Sequence, residues 1–168
     1  MPGFALPSLP VGREVLLDAN VIAYALQGRS RQCEDFLRRS SRGEISAFTT
    51  TEVLSDVCHR LMLTEALSRG LVARANASNL KGKPHVIRQL DDYWKRLSSF
   101  TGQPIAILPL DEFRFARAQP VRRDYGLMTN DSLLLAAAEV YGIDSLATND
   151  TDFETVPWIE IYRPTDLV

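Results

Sequence analysis

Short apolar runs alternate with helical periodicity along this chain. Val15-Leu16-Leu17 is a continuous apolar run of the length expected for a buried strand. It ends at Asp18-Ala19-Asn20, and Val21 to Leu26 reads as helix. Residues 30–42 put Cys33, Phe36 and Leu37 on one helical face and Arg31, Arg38, Arg39 and Arg42 on the other. Ile45 to Phe48 predicts a second strand. Three threonines, 49–51, then lead into a helix over 52–63 with Val53, Leu54, Val57 and Leu61 at helical spacing. Residues 62–77 continue as helix, 78–84 as loop and 85–100 as a second helix. Ile105 to Leu108 is another apolar strand, and 110–123 carries a helical pattern with an Arg-rich face (Arg114, Arg117, Arg122, Arg123). Thr129-Asn130-Asp131-Ser132 reads as a capped helix start. Leu133 to Tyr141, apolar nearly all round, reads as a buried helix stopped by Gly142. Ser145 to Thr148 is a brief core strand. Trp158 to Tyr162 alternates with period two and predicts a last, edge-lying strand.

Strands that alternate with helices predict an α/β class: a mostly parallel central sheet with helices on both faces, a three-layer α/β/α arrangement. Residues 1–12, with Pro2, Pro7 and Pro10, have neither periodicity and read as a Pro-rich surface leader. Residues 13–165 then form a single domain with a basic helical insertion at about 64–100. Within it, Arg69 to Arg96 holds seven basic residues against two acids. A phosphate backbone would be guided by such a segment, with Lys81, Lys83 and Arg88 as its candidate contacts. Tyr93 and Trp94 could stack on bases, although Trp94 reads more readily as core.

Composition narrows the classes further. A length of 168 residues, 45% hydrophobic and 24% charged, suits one globular domain. A net charge of −2 excludes a global basic field, so a nucleic acid would have to be held locally. Cys33 and Cys58 sit alone in helical patterns, as buried small hydrophobes in a reducing compartment do. Two His and two separated Cys make no zinc site. No apolar run is long enough for a membrane span, and no signal pattern opens the chain, so a cytoplasmic protein is expected.

The acids carry the chemistry. Asp18 ends the first strand, Glu52 opens the helix after the second, Asp131 opens a helix, and Asp150 follows a strand. In a parallel sheet all four fall on one edge, outside the strands' carboxyl ends, where open α/β sheets bind ligands. None has a Lys or Arg directly beside it, and Asp131 to Glu160 holds seven acids and no basic residue. Taken singly, each acid could be an ordinary cap or turn residue. Carboxylates gathered without His or Cys suit a hard cation with oxygen ligands, Mg²⁺ or Mn²⁺. Such an ion fits phosphodiester hydrolysis, where it activates water and offsets charge on the phosphate. The chain has neither a P-loop nor a Gly-x-Ser-x-Gly elbow.

Four stretches carry a resemblance: Leu16-Leu17-Asp18-Ala19-Asn20-Val21-Ile22, Thr50-Thr51-Glu52-Val53-Leu54, Thr129 to Ala138, and Leu146-Ala147-Thr148-Asn149-Asp150-Thr151-Asp152-Phe153. In order and in content they resemble the four acidic motifs of PIN-domain nucleases, most of all the VapC-like toxins and their archaeal relatives. The resemblance covers about 15–65 and 105–162. It implies a PIN-like α/β/α fold and a Mg²⁺- or Mn²⁺-dependent endoribonuclease acting on RNA. It also implies a homodimer and a small VapB-like antitoxin as inhibitor. Carried over, Asp18, Glu52, Asp131 and Asp150 are the catalytic, metal-binding acids, Asp152 competes for the fourth place, and Asn20 and Thr148 are polar support. The long basic segment and the leader depart from compact toxins. They leave room for an RNA-processing nuclease without an antitoxin, or a non-catalytic RNA- or protein-binding module. Loss of one acid would mark the latter, and none is lost. A phosphatase or receiver-like domain would want a Lys near the nucleophilic Asp, and none is found. Nothing in the motifs reads a 2′-hydroxyl, so cleavage of DNA stays open.

Overall fold

The computed structural model describes residues 3–167. Its strands are β1 (Phe4–Ala5), β2 (Glu14–Leu17), β3 (Ser46–Thr50), β4 (Ala106–Leu108), β5 (Ser145–Ala147) and β6 (Glu160–Arg163). They form one sheet in the order β1-β6-β5-β2-β3-β4, with every pairing parallel. The centre is the run first read as a buried strand: Val15, Leu16 and Leu17 are completely buried. Leu16 pairs with Phe48 of β3 on one side and Leu146 of β5 on the other.

Helices α1 (Ala19–Leu26), α2 (Arg31–Ser41), α3 (Thr51–Ser68) and α6 (Asp92–Thr101) occupy the crossovers that build the β2-β3-β4 side and pack on one another. Helices α7 (Glu112–Tyr125) and α8 (Thr129–Tyr141) pair with each other in the crossover from β4 back to β5. Right-handed crossovers running in opposite directions along the sheet place the two groups on opposite faces. The chain turns outward in both directions from the β2–β5 seam, which is therefore the topological switch point.

Three elements differ from the sequence reading. The leader is not a surface strap. Phe4–Ala5 pairs with β6, Phe4 lies 5.5 Å from the Tyr162 ring, and Leu6 and Leu9 are buried in the core. Prolines between these apolar residues break the spacing by which a strand or helix is recognised. As a result β6 is not an edge: β1 covers it.

The basic segment is also more broken than periodicity suggests. Helix α3 ends at Ser68, and Gly70 turns the chain with φ +66°. The expected helix over 85–100 is split into α5 (Pro84–Ile87) and α6, after the short α4 (Ala77–Leu80). The break is made by Glu65, a buried acid that accepts the backbone N–H groups of Asp91 (3.1 Å) and Tyr93 (2.9 Å). Val72, Leu80, Val86 and Leu90 close a small second core on Ala66 of α3.

Candidate active site

At the switch point the register puts Leu17 beside Ala147, so the residues that follow both strands emerge together. Asp18 N donates to Ala147 O (3.1 Å). Asp18 is also the N-cap of α1, and Ala19 N donates to its Oδ1 (2.6 Å). Its Oδ2 accepts from the Thr148 hydroxyl (2.6 Å) and from Asn20 Nδ2. Thr148 in turn accepts from Asn20 Nδ2 (3.2 Å) and from Asp150 N (2.9 Å), while Asn149 N donates to Asn20 Oδ1 (2.9 Å). The expected polar supports, Asn20 and Thr148, are thus the fastening between the first and fourth acidic stretches. Both are buried.

Asp131 arrives on the first turn of α8. The cap expected of Asn130, Asp131 or Ser132 is absent: the N-cap is Met128, with no side-chain bond. Ser132 is buried, and its hydroxyl donates to Thr129 O (2.8 Å). Asp131 has no hydrogen-bond partner among the described residues and faces the opening. Burial pushes its carboxyl up to about 6, helped by the charges of Asp18, Asp150, Asp152 and Asp56. Burial also raises Asp18, against the bonds from Thr148 and Ala19 and the charge of Arg60.

Asp131, Asp150 and Asp152 can each bring one carboxylate oxygen within 4.8 Å of the others. Both candidates for the fourth acid, Asp150 and Asp152, belong to this group. A backbone bond from Asp152 N to Asp150 Oδ1 (2.9 Å) folds the two together. Three carboxylate oxygen donors of this kind, one of them pushed up to about 6 by burial and by neighbouring charges, match a hard divalent cation.

Around them lies a cleft of about 400 Å³, bounded by Asp18, Asn20, Glu52, Asp56, Met128, Asp131 and Asp150 among others. Arg60 is the single Lys or Arg lining it among the described residues. Glu52, Asp56 and Arg60 stand at successive i+4 positions of α3, so one helical face supplies that wall. Asp56 holds Arg60 at 2.9 Å.

Glu52 has a partner that sequence adjacency could not disclose. Arg114, 1% exposed, sends Nη2 to both Glu52 oxygens, the longer contact being 2.6 Å, and Nη1 to Leu108 O (3.2 Å). The sequence groups Arg114 with Arg117, Arg122 and Arg123 on an Arg-rich helical face. Arg114 instead shares the inward stripe with Ala118 and Val121, at i+4 and i+7. That spacing was the available signal. Trp94 reverses the other way: expected in the core, it is 60% exposed. Lys81 and Arg88 are exposed and Lys83 half-buried; none of the three lines the acidic cleft.

Fold and site together define a doubly wound α/β protein with an all-oxygen acidic centre at its switch point. A PIN-domain profile matches residues 15–159, and the chain belongs to the PIN-domain family. It is similar to Ribonuclease VapC2 of Methanocaldococcus jannaschii, 24% identical over 149 residues that cover 88% of this chain and 92% of that protein. A shorter match, 44% identical over 46 residues, is to Ribonuclease VapC6 of the same organism and spans 27% of this chain and 30% of that protein. Among solved structures it is similar to VapBC2 from Rickettsia felis bound to a promoter DNA fragment, with TM-score 0.59, 16% identity, and 90% and 98% of the two chains covered. The sarcin-ricin loop cleaving toxin VapC20 of Mycobacterium tuberculosis matches with TM-score 0.56 at 13% identity, over 88% of this chain and 98% of that one. At such identities the structural likeness concerns the fold. No helix among the described residues is long and apolar enough to cross a membrane.

Proposed function

We propose that this protein is a metal-dependent endoribonuclease and the toxin of a VapBC-type pair, working as a homodimer and restrained by a VapB-like antitoxin. The observation that carries the reading is the convergence of Asp18, Asp131, Asp150 and Asp152 beside a cleft lined, among the described residues, by a single Lys or Arg, Arg60. Membership of the PIN-domain family and the relatives named above support the choice of RNA and of an antitoxin.

Asp131, Asp150 and Asp152 would hold Mg²⁺ or Mn²⁺. When bound, the ion supplies charge neutralisation on the phosphate and an acidified water. Asp18, fastened by Thr148 and Asn20, sets the floor of the site and fixes the negative potential that draws the cation in. Arg60, pinned by Asp56, faces the carboxylates across the cleft and takes a non-bridging phosphate oxygen. The exposed Lys81 and Arg88, with Lys83, guide the rest of the strand by charge, and Trp94 offers a face for stacking.

The test is cleavage of a single-stranded RNA by purified protein with Mg²⁺ or Mn²⁺. Activity abolished by chelator and by Asp131→Asn, with the fold unchanged by circular dichroism, is expected. Activity indifferent to both would refute the reading. Neutralisation of the activity by the product of a short adjacent gene tests the toxin role.

A further inference from the structure

We infer that Arg114 withdraws Glu52 from metal binding, so that a single divalent ion rests on Asp131, Asp150 and Asp152 while Glu52 serves as a charge-neutralised positioning residue of the cleft wall. The inference rests on the nuclease reading only in assuming that a divalent ion binds there.

Three observations support it. First, both Glu52 oxygens accept from Arg114 Nη2, and one also accepts from the Thr51 hydroxyl at 3.0 Å. Both carboxylate oxygens are thus engaged before any ion arrives. Second, Arg114 has little else. Its Nη1 reaches Leu108 O, and its buried Nε has no hydrogen-bond partner among the described residues. Were Glu52 to turn toward a metal, a guanidinium sealed from water would be left with one carbonyl, which is strongly unfavourable. Third, Glu52 lies outside the group of carboxylates whose oxygens come within 4.8 Å of one another.

The charge balance agrees. Asp131, Asp150 and Asp152, whose oxygens come within 4.8 Å of one another, already repel, and Asp18 lines the same cleft. A fifth unpaired carboxylate would add to that repulsion, and Arg114 cancels it in place. Being buried on the inward stripe of α7, Arg114 also locks that helix to the first turn of α3. The wall of the cleft carrying Glu52, Asp56 and Arg60 is thereby held at a fixed distance from α8 and Asp131.

Calorimetric titration with Mn²⁺ tests this without recourse to cleavage. The parent should bind one Mn²⁺ per chain. Asp131→Asn should weaken binding by at least about 10-fold, as loss of a direct ligand must exceed the usual effect of losing an outer one. Glu52→Gln should change it by less than about threefold, since the charge removed was already offset. Because Glu52→Gln or Arg114→Met alone strands a buried partner and can fail to fold, the double variant Arg114→Met with Glu52→Gln is the decisive one. It removes both charges at near-constant volume, should melt higher than either single variant, and should keep the parent's Mn²⁺ affinity.

Mn²⁺ binding lost in the double variant, or weakened by Glu52→Gln as much as by Asp131→Asn, would overturn the inference and leave the nuclease reading standing. A parent that binds one Mn²⁺ but cleaves no RNA would sink the nuclease reading and not this one. A parent that binds no Mn²⁺ overturns both.

Discussion

Asp131 and Thr148 show how differently two polar residues can serve one site. Asp131 makes no hydrogen bond among the described residues, so its charge is available to a ligand. Replacing it with Asn keeps the shape and removes the charge. Cleavage should fall below detection while thermal stability holds or rises, since one repelling carboxylate is gone. Thr148 is the opposite case. Its hydroxyl donates once and accepts twice, which is its full capacity. Thr148→Val should cost about 1–3 kcal/mol, the penalty for leaving buried polar groups unpaired. It should also raise the Asp18 carboxyl further, because the Thr148 bond now lowers it. The acidic limb of the pH–rate profile should then move to higher pH, and a profile unchanged in shape would argue against a role for Asp18 in catalysis. For Arg60, Arg60→Ala should raise KM more than it lowers kcat if the side chain binds phosphate in the ground state.

Among the elements, α3 does two jobs. Its first turns supply the cleft wall, and its last turns carry Glu65, which organises the basic segment. Burial works against the Glu65 charge, but bonds from Tyr93 N, Asp91 N and Arg69 outweigh it and hold the carboxyl below its ordinary value. Glu65→Ala should therefore loosen residues 69–93 without unfolding the sheet. Hydrogen exchange should show faster exchange of the Asp91 and Tyr93 amides while those of β2 stay protected. In the same segment, reversing Lys81, Lys83 and Arg88 to Glu should weaken RNA binding and flatten its salt dependence. Filter binding at several salt concentrations checks this; an unchanged slope would make the segment a structural brace only.

For the molecule as a whole, the acidic centre sets a pH dependence with a definite sign. Unfolded, Asp131 gives up its proton near 3.8; folded and ion-free, it keeps it to about 6. Between those values the folded state binds more protons, so ion-free stability falls as pH rises from about 4 past 6. Asp18 is raised and acts in the same direction. The lowered acids Glu65, Asp91 and Asp166 act below their ordinary values of 4.5, 3.8 and 3.8, and so do not oppose this trend above pH 5. With chelator present, the melting temperature should be higher at pH 5 than at pH 7.5. Excess Mn²⁺ should shrink or reverse that difference, because the ion binds the deprotonated carboxylates. Equal melting curves under all four conditions would contradict the clustered geometry.

Much of this arrangement was written locally. A short run such as Val15-Leu16-Leu17, apolar at every position, suits a central strand buried on both faces, which it is. An acid just after such a strand falls at the carboxyl edge whatever the rest of the chain does. Strand–helix alternation then determined the parallel sheet, and the four acidic stretches determined the site's place in it. What only the tertiary structure decided were pairings across long sequence separation. Phe4–Ala5 became a strand because β6 offered it an open edge, not because of its own spacing. Glu65 broke an apparent helix by capturing two amides some 26 and 28 residues away. Arg114, 62 residues from Glu52, became its hydrogen-bonded partner. Periodicity records which face of an element is buried; it carries no information on which buried charge meets which, because that depends on how the elements pack.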